Sequence, residues 1–212
     1  QLNTGKKSVT LDLKSDAARN ALYKLIETAD IVVENFSTGA LDKLGLGYED
    51  IAQINPAIIY CSITGYGDSG PQAKHGAYDN VIQATSGIID QCSGQKPAVS
   101  FVDYATGYAA AFAICAALSQ RSKSGKGTQI SVSMLEVALQ MMSPEAAAAQ
   151  HKNPKRRSKE AGINSYDTQD GRLMLGAFHP GQYRKLAAVL TEIGHPQREL
   201  EQIKDWPDVW AL

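Results

Sequence analysis

The sequence lacks an excess of charge of either sign. Its 21 Lys and Arg residues against 22 Asp and Glu residues give a formal net charge of −1 at pH 7. No broad positive field is then available to attract nucleic acid or an anionic lipid surface. The sequence also lacks an apolar run approaching the roughly 18 residues that a membrane-spanning helix requires. We therefore expect neither a nucleic-acid partner nor a membrane partner.

Metal-ligand spacings are also missing. The three cysteines form no CxxC pair, and the four histidines stand apart from one another along the chain. Zinc sites are built from Cys and His at short, fixed spacings, so we predict no metal site. Cys61 and Cys115 lie in apolar stretches and are expected to be buried thiols. Free thiols fit a reducing compartment, which predicts a cytoplasmic location.

Two familiar catalytic motifs are missing as well, the GxSxG nucleophile elbow and the P-loop. A literal GxGxxG is present at residues 65–70, and Asp90 lies about where a ribose-binding acid would stand. Pro71 follows the third glycine at once, where a dinucleotide-binding fold would open a helix. We interpret these glycines as a flexible loop near a ligand, not as a dinucleotide site.

Alternating strand and helix patterns are what the sequence does contain. Residues 8–13 alternate as a strand, residues 15–28 carry a helical apolar face, and residues 31–34 form a second strand. A strand, a helix and a strand with short connections form a βαβ unit, which predicts a parallel sheet. Further strands are predicted at residues 57–63 and 128–133. The expected fold class is α/β, an open, mostly parallel Rossmann-like sheet with flanking helices.

Changes of composition along the chain predict two domains. Residues 1–150 form the larger α/β domain, and residues 151–164 are a basic, solvated linker. Residues 165–212 begin a smaller α+β domain with a hairpin whose turn is Asp170-Gly171. The chain does not begin with Met, no signal peptide is recognisable, and residues 205–210 resemble a helix that is only starting. We expect a fragment of a longer polypeptide.

One aspartate stands where chemistry is possible. Asp103 lies between a proline-containing loop and a helix of small residues, predicted at residues 105–118 and expected to be buried. A carboxylate at a helix start commonly caps free backbone N–H groups, and taken alone Asp103 favours this structural role. The same position suits a nucleophile, because the helix N-terminus keeps the carboxylate ionised and fixes its direction.

The loop at residues 35–39 is a second candidate for a functional site. It leaves the end of the strand at residues 31–34. In open α/β sheets the ligand crevice lies at the carboxyl ends of the strands. Architecture alone therefore marks this loop as a place where a ligand would bind.

Several segments together resemble family III CoA-transferases, the group that contains formyl-CoA transferase and carnitine CoA-transferase. These segments occur in the family's order and cover the chain to about residue 140. They are residues 3–14, 29–36, 45–48, 63–67, 77–79, 103–107 and 126–129. Any one of them is a weak signal, but the set is specific. The part from residue 165 onward matches the family's smaller domain more loosely.

The resemblance implies an enzyme whose nucleophile is the aspartate at position 103. A free aspartate has a pKa of about 3.9, so at neutral pH it is ionised and able to attack a thioester. Coenzyme A and acyl-CoA then enter as substrates, with no tightly bound cofactor and no metal. By the same matching, CoA is held by Leu11, Lys14, Asn35, Phe36, Ser37, Lys43, Gly76, Ala77, Tyr78 and Asp79. A further loop is predicted to contact the substrate through Gly181 and Gln182.

The resemblance also implies partners and leaves two alternatives open. The expected partners are an acyl-CoA, a small carboxylate and a second copy of the chain in an interlocked homodimer. The related 2-methylacyl-CoA racemases share the fold but carry His where this chain has Tyr78. A tyrosine hydroxyl, with an ordinary pKa of about 10, shuttles protons poorly at neutral pH, which favours CoA transfer over racemisation. A non-catalytic CoA-binding module is the third hypothesis. The family's chains are about twice as long, so we expect residues 1–212 alone to be weakly active or inactive.

Overall fold

The structure is a computed structural model that describes residues 2–150 and 165–192. The chain divides into two compact units, Gln1–Ala147 and Ala148–Leu212. The predicted linker at residues 151–164 and the predicted helix at residues 205–210 lie outside the described residues.

The first unit is built around a parallel sheet of three strands. They are β1 (Ile31–Glu34), β2 (Ile59–Thr64) and β3 (Thr128–Ser133), in the order β1-β2-β3. Ile59 of β2 lies opposite Ile31 on one side and opposite Thr128 on the other. The helices are α1 (Asp16–Ile26), α2 (Tyr48–Ile54), α3 (Asp79–Thr85), α4 (Ile88–Gln91), α5 (Phe101–Ser124), α6 (Met134–Met141) and α7 (Ser143–Ala149), with a 3₁₀ helix at Asp42–Leu44. The α/β class with a parallel sheet is confirmed.

The central strand β2 separates two packed layers. Successive side chains of a strand point to opposite faces, so Tyr60 and Cys61 belong to different layers. Tyr60 packs with Ile26 of α1 and Ile51 of α2. Cys61 packs with Ala110 of α5 on the other face. Helices on both faces explain why β2 is apolar on both sides.

The predicted strand at residues 8–13 is wrong, because the structure has no regular element there. Val9 is exposed, and Ser15 N donates to Asp12 O in a turn that leads into α1. Alternation alone does not make a strand, since the backbone must also pair with a neighbouring strand. No described strand lies beside these residues.

Helix α5 is longer and more exposed than the sequence predicted. Only Val102, Thr106, Ala110 and Ala117 of its 24 residues are buried, so the expectation of a buried helix is wrong. Cys115 is exposed, which corrects its assignment as a buried thiol, whereas Cys61 is buried. Small residues made the helix look like a core helix, but they occupy its outer face as well as its inner one.

By length and composition, α5 is also apolar enough to cross a membrane, with a mean hydropathy of 1.4 over its most apolar 18 residues. No continuous run of strongly apolar side chains marks α5 in the sequence, since many of its residues are alanine. In the structure the buried residues of α5 pack on the sheet and on neighbouring helices.

The second unit contains a hairpin and a helix among its described residues. Strands β4 (Ser165–Thr168) and β5 (Gly171–Met174) pair antiparallel, with Ser165 opposite Met174. Helix α8 spans Pro180–Glu192. The predicted hairpin is confirmed, but its turn is Gln169-Asp170, one residue earlier than expected, because Gly171 already pairs with Thr168.

Candidate active site

A cavity of about 490 Å³ opens where β1 and β2 end. Residues 35–38 leave β1, residues 63–65 end β2, and residues 75–78 precede α3. Asp103, Thr106 and Gly107 of α5 and Met134 of α6 complete its lining. Parallel strands place their carboxyl ends at one edge of the sheet, which explains why distant segments converge here. The volume is in the usual range of small-molecule sites.

The loop after β1 is fixed to the end of β2. Asn35 Nδ2 donates to the Ile63 carbonyl oxygen at 2.6 Å. The Glu34 carboxylate accepts from Phe36 N at 2.7 Å and from the Ser62 hydroxyl. These contacts hold Phe36 and Ser37 at the cavity wall, where both remain exposed.

The loop at residues 75–78 forms another part of the cavity wall. Tyr78 is 78% exposed and stands just before α3. His75 also lines the cavity and meets the ring of Tyr66 edge-on at 6.4 Å between ring centroids. The wall approaches Gly65 so closely that a Cβ at that position would collide with Ala77.

Asp103 lies in the first turn of α5, where it is exposed and lines this cavity. The helix begins at Phe101, so the residue in the capping position is Ser100 and Asp103 is the third helical residue. Asp103 therefore does not occupy the capping position that its structural alternative would require. The helix starts earlier because Val102 is fully buried with Ile82 and Met134, which fixes the first turn in helical geometry.

Two features raise the pKa of Asp103 above its ordinary value. Desolvation by the surrounding protein is the larger cause, and the negative charge of Asp79 adds to it. The positive charge of Lys96 opposes both. The sequence predicted an ionised Asp103 from the helix N-terminus and the ordinary pKa of an aspartate, since neither the desolvation nor the charge of Asp79 is visible along the chain.

Asp79 is buried, at 5% exposed, and is not among the residues that line the cavity. Its Oδ1 accepts from Val102 N at 3.0 Å. Its Oδ2 accepts from Gln83 Nε2 and lies 3.7 Å from Lys96 Nζ. The carboxylate therefore faces the start of α5.

The structure brings together seven of the residues predicted from the sequence. The cavity is lined by Asp103 with Asn35, Phe36, Ser37, Gly76, Ala77 and Tyr78. Leu11, Lys14, Lys43 and Asp79 are not among its lining residues. Gly181 and Gln182 belong to the second unit, where Gln182 Oε1 accepts from Phe178 N and His179 N at the start of α8. Their roles in binding CoA or substrate stay predictions.

Sequence reasoning missed the cavity residues that carry no catalytic motif. Thr38 and Thr64 line the cavity, as do Thr106 and Gly107, one turn beyond Asp103. Helical spacing from Asp103 predicts the last two, because residues three and four positions apart share a face. His75 was set aside only because it had no partner for metal binding.

The sequence of this chain is similar to those of known proteins. The family model described as CoA-transferase family III matches residues 1–207. A succinate–glutarate CoA-transferase of Agrobacterium fabrum is 37% identical over 204 residues, covering 89% of this chain and 50% of that protein. An acetyl-CoA:oxalate CoA-transferase of Acetobacter aceti is 38% identical over 144 residues, covering 65% of this chain and 37% of that protein.

A solved structure extends the agreement to the fold. The crystal structure of a CaiB/BaiF family protein from Brucella suis matches with a TM-score of 0.74 at 36% identity, covering 88% of this chain and 52% of that one. The chain thus spans about half the length of proteins it matches. From the family model and these relatives together, this chain belongs to family III of the CoA-transferases.

Proposed function

We propose that the whole protein moves CoA from an acyl-CoA to a small carboxylic acid, with Asp103 as the nucleophile. One observation carries the proposal: the Asp103 carboxylate, the Asn35 loop and the Tyr78 loop line a single cavity. These residues come from three separate parts of the sequence, and the fold gathers them at the carboxyl ends of the strands.

The first half of the reaction would release the donor acid. An Asp103 oxygen attacks the thioester carbonyl carbon, the C–S bond breaks, and a mixed anhydride and CoA thiolate form. The thiolate then attacks the side-chain carbonyl carbon of Asp103. The anhydride C–O bond breaks, which leaves an aspartyl-CoA thioester and frees the first acid as its carboxylate.

The second half would repeat these steps with the acceptor. Its carboxylate attacks the aspartyl thioester, expels the thiolate and forms a new anhydride. The thiolate attacks the acceptor's carbonyl carbon, which gives the new acyl-CoA and restores the Asp103 carboxylate. Every nucleophile is already an anion and every leaving group departs as one. No net proton transfer is needed, so a general base beside Asp103 is unnecessary.

We propose small dicarboxylates as the acceptor class. The relatives' names specify succinate and glutarate in one case and oxalate in the other. His75 at the cavity wall supports this proposal, since an imidazole can donate a hydrogen bond to a second carboxylate. A panel of acyl-CoA donors and mono- and dicarboxylate acceptors, assayed with the full-length protein, tests the class. Equal rates with monocarboxylates of similar size would contradict it.

Trapping of the covalent intermediate tests the role of Asp103. Full-length protein turning over acyl-CoA is treated with hydroxylamine or borohydride, and its peptides are analysed by mass spectrometry. We expect an adduct on Asp103 and a loss of transfer in Asp103→Ala of about 10⁴-fold or more, as expected when a covalent nucleophile is removed. Asp50 offers a matched control, since it is also the third residue of a helix and lies outside the cavity lining. Asp50→Ala should keep full activity, whereas full activity in Asp103→Ala would exclude the mechanism.

A second candidate function is exchange of the α-proton of a 2-methylacyl-CoA. His75 favours this function, because its imidazole lines the cavity together with Asp103. The histidine of the racemases corresponds to Tyr78, three positions later in the chain. Incubation with acyl-CoA in D₂O without an acceptor acid separates the two functions. Deuterium at the α-carbon, lost in His75→Ala, would support racemisation. CoA transfer without deuterium incorporation supports the first proposal.

A further inference from the structure

The segment before Asp103 is fastened from a neighbouring helix. Helix α5 has no side-chain cap of its own, since Ser100 makes no capping hydrogen bond. Asp79 supplies the missing acceptor from 23 positions earlier, through its Oδ1 and Val102 N. This bond is buried at both ends, because Val102 is fully buried and Asp79 is 5% exposed.

Two further contacts fasten the same segment to α3. Lys96 Nζ lies 3.7 Å from Asp79 Oδ2. Gln83 Nε2 donates to Asp79 and also to the carbonyl oxygen of Val99 at 3.4 Å. Asp79 is thereby tied to the chain at three points within the seven residues that precede Asp103.

We propose that Asp79 is the positioning residue of this site: it fixes the first turn of α5 so that Asp103 faces the cavity, and it sets a second negative charge beside the nucleophile. The inference rests on the proposed function of Asp103. In this role Asp79 acts through the Val102 amide and needs no contact with CoA.

The second charge has a chemical consequence. Desolvation is the larger cause of the raised pKa of Asp103, and repulsion from the charge of Asp79 adds to it while Asp103 is a free carboxylate. In the anhydride the CoA thiolate carries that charge instead, whereas in the aspartyl-CoA thioester position 103 is neutral and the first acid leaves with the charge. Asp79 therefore favours the aspartyl-CoA thioester relative to the resting carboxylate. Lys96 attracts the resting carboxylate and acts in the opposite direction.

Several other titratable groups lie around Asp103. Asp79 acts from α3 and Lys96 from the segment before α5. The remaining neighbours are His75 and Tyr78 across the cavity, and Tyr104 next along the helix.

Three variants of the full-length protein separate position from charge. Asp79→Asn keeps an oxygen for Val102 N and removes the charge. The amide can also be accommodated, because Gln83 Oε1 has no partner among the described residues and a flipped Gln83 amide would accept from it. Asp79→Ala removes both the acceptor and the charge. Lys96→Met removes the opposing charge, and Lys123→Met at the far end of α5 is the matched control.

The readouts are kcat and the acid limb of the pH profile of kcat/KM, which follows ionisation of free Asp103. Ionised Asp103 is the nucleophile, so a lower pKa moves the limb to lower pH. We expect Asp79→Asn to move it to lower pH, Lys96→Met to move it to higher pH, and Lys123→Met to leave it in place. Asp79→Ala should also lower kcat at least about tenfold, since the start of α5 loses its buried anchor.

Opposite displacements of the acid limb support the inference, because a merely structural role would not reverse sign between Asp79→Asn and Lys96→Met. Acid limbs that stay in place in Asp79→Asn and Lys96→Met, or that move in the same direction in both, overturn the inference. A wild-type kcat in Asp79→Ala overturns the positioning role. If Asp79→Ala does not fold, Asp79→Asn and Lys96→Met still test the inference through the acid limb. Trapping acyl-Asp103 in wild-type protein distinguishes failure of the proposed function from failure of this inference. If no adduct forms, the proposed function fails. If an adduct forms but the acid limbs of the variants do not move, only this inference fails.

Discussion

Gly65 shows how a single residue sets the width of the cavity. It follows β2, and its backbone carbonyl oxygen accepts from Leu135 N at 3.0 Å, so its position is fixed by α6. The absence of a side chain lets the loop with Ala77 pack directly against it. Because Ala77 is followed at once by Tyr78, any displacement of Ala77 displaces the wall of the cavity.

We expect Gly65→Ala to raise KM for acyl-CoA by about tenfold, because the new Cβ would displace Ala77. The protein should still fold, since one overpacked methyl group costs about 1–3 kcal/mol of stability. The double variant Gly65→Ala with Ala77→Gly removes the colliding atom and should recover most of the loss. Steady-state kinetics and circular dichroism measure both effects. A double variant no better than Gly65→Ala would show that the collision is not the cause.

The whole element α5 is held at both ends. Asp79 fastens its first turn, and Arg121 fastens its last. Arg121 Nη1 donates to the carbonyl oxygens of Asp30 and Ala57 at 3.1 Å each, and Nη2 donates to Asp30 Oδ1 at 2.8 Å. The guanidinium group thus connects the end of α5 to the chain just before β1 and β2, which holds the helix in line with the sheet.

We expect Arg121→Met to lower the free energy of unfolding by about 1–3 kcal/mol, since two backbone carbonyl groups lose a donor. Asp30→Ala should cost less than about 1 kcal/mol, because its side chain is 76% exposed and only the ion pair is lost. Equilibrium urea unfolding measures both variants. Equal losses would contradict the assignment, as they would place the energy in the ion pair and not in the carbonyl contacts.

At the scale of the whole molecule, the outer face of α5 has an unusual composition. Tyr104, Tyr108 and Phe112 are 53%, 75% and 79% exposed, and they lie on successive turns. Exposed large apolar side chains in one row are typical of surfaces that become covered. The row begins next to Asp103, so whatever covers it would also border the cavity.

We propose that the partner implied by the family resemblance, a second copy of the full-length protein, covers this row. Tyr108→Lys with Phe112→Lys should then convert the homodimer to monomer and lower CoA-transferase activity, because charged groups would be buried at the interface. Light scattering and activity assays on the same samples test this. Exposed Glu49 and Gln53 of α2 offer the control positions for a double Lys variant. A dimer that persists in the α5 variant would locate the interface elsewhere.

Elements with a local residue pattern could be predicted from the amino-acid sequence alone. The bounds of β1 and β3 follow from short apolar and turn patterns and agree with the structure. Asp103 and the loop after β1 were also recognisable, since strand ends and helix starts are readable from the chain. The family resemblance rests on the same local segments, which explains why it is confirmed.

Strand pairing, burial and pKa shifts depend on residues that are far apart in the chain, and these features could be determined only from the folded structure. Residues 8–13 alternate like a strand, but no described strand pairs with them. Helix α5 looked buried because its residues are small, yet burial depends on what packs against each face. The direction of the Asp103 pKa shift depends first on desolvation by the surrounding protein and then on the charge of Asp79, which lies 24 positions away along the chain. Hydrogen bonds and charges act through space, so a pattern that is read along the chain contains the residues but not their neighbours.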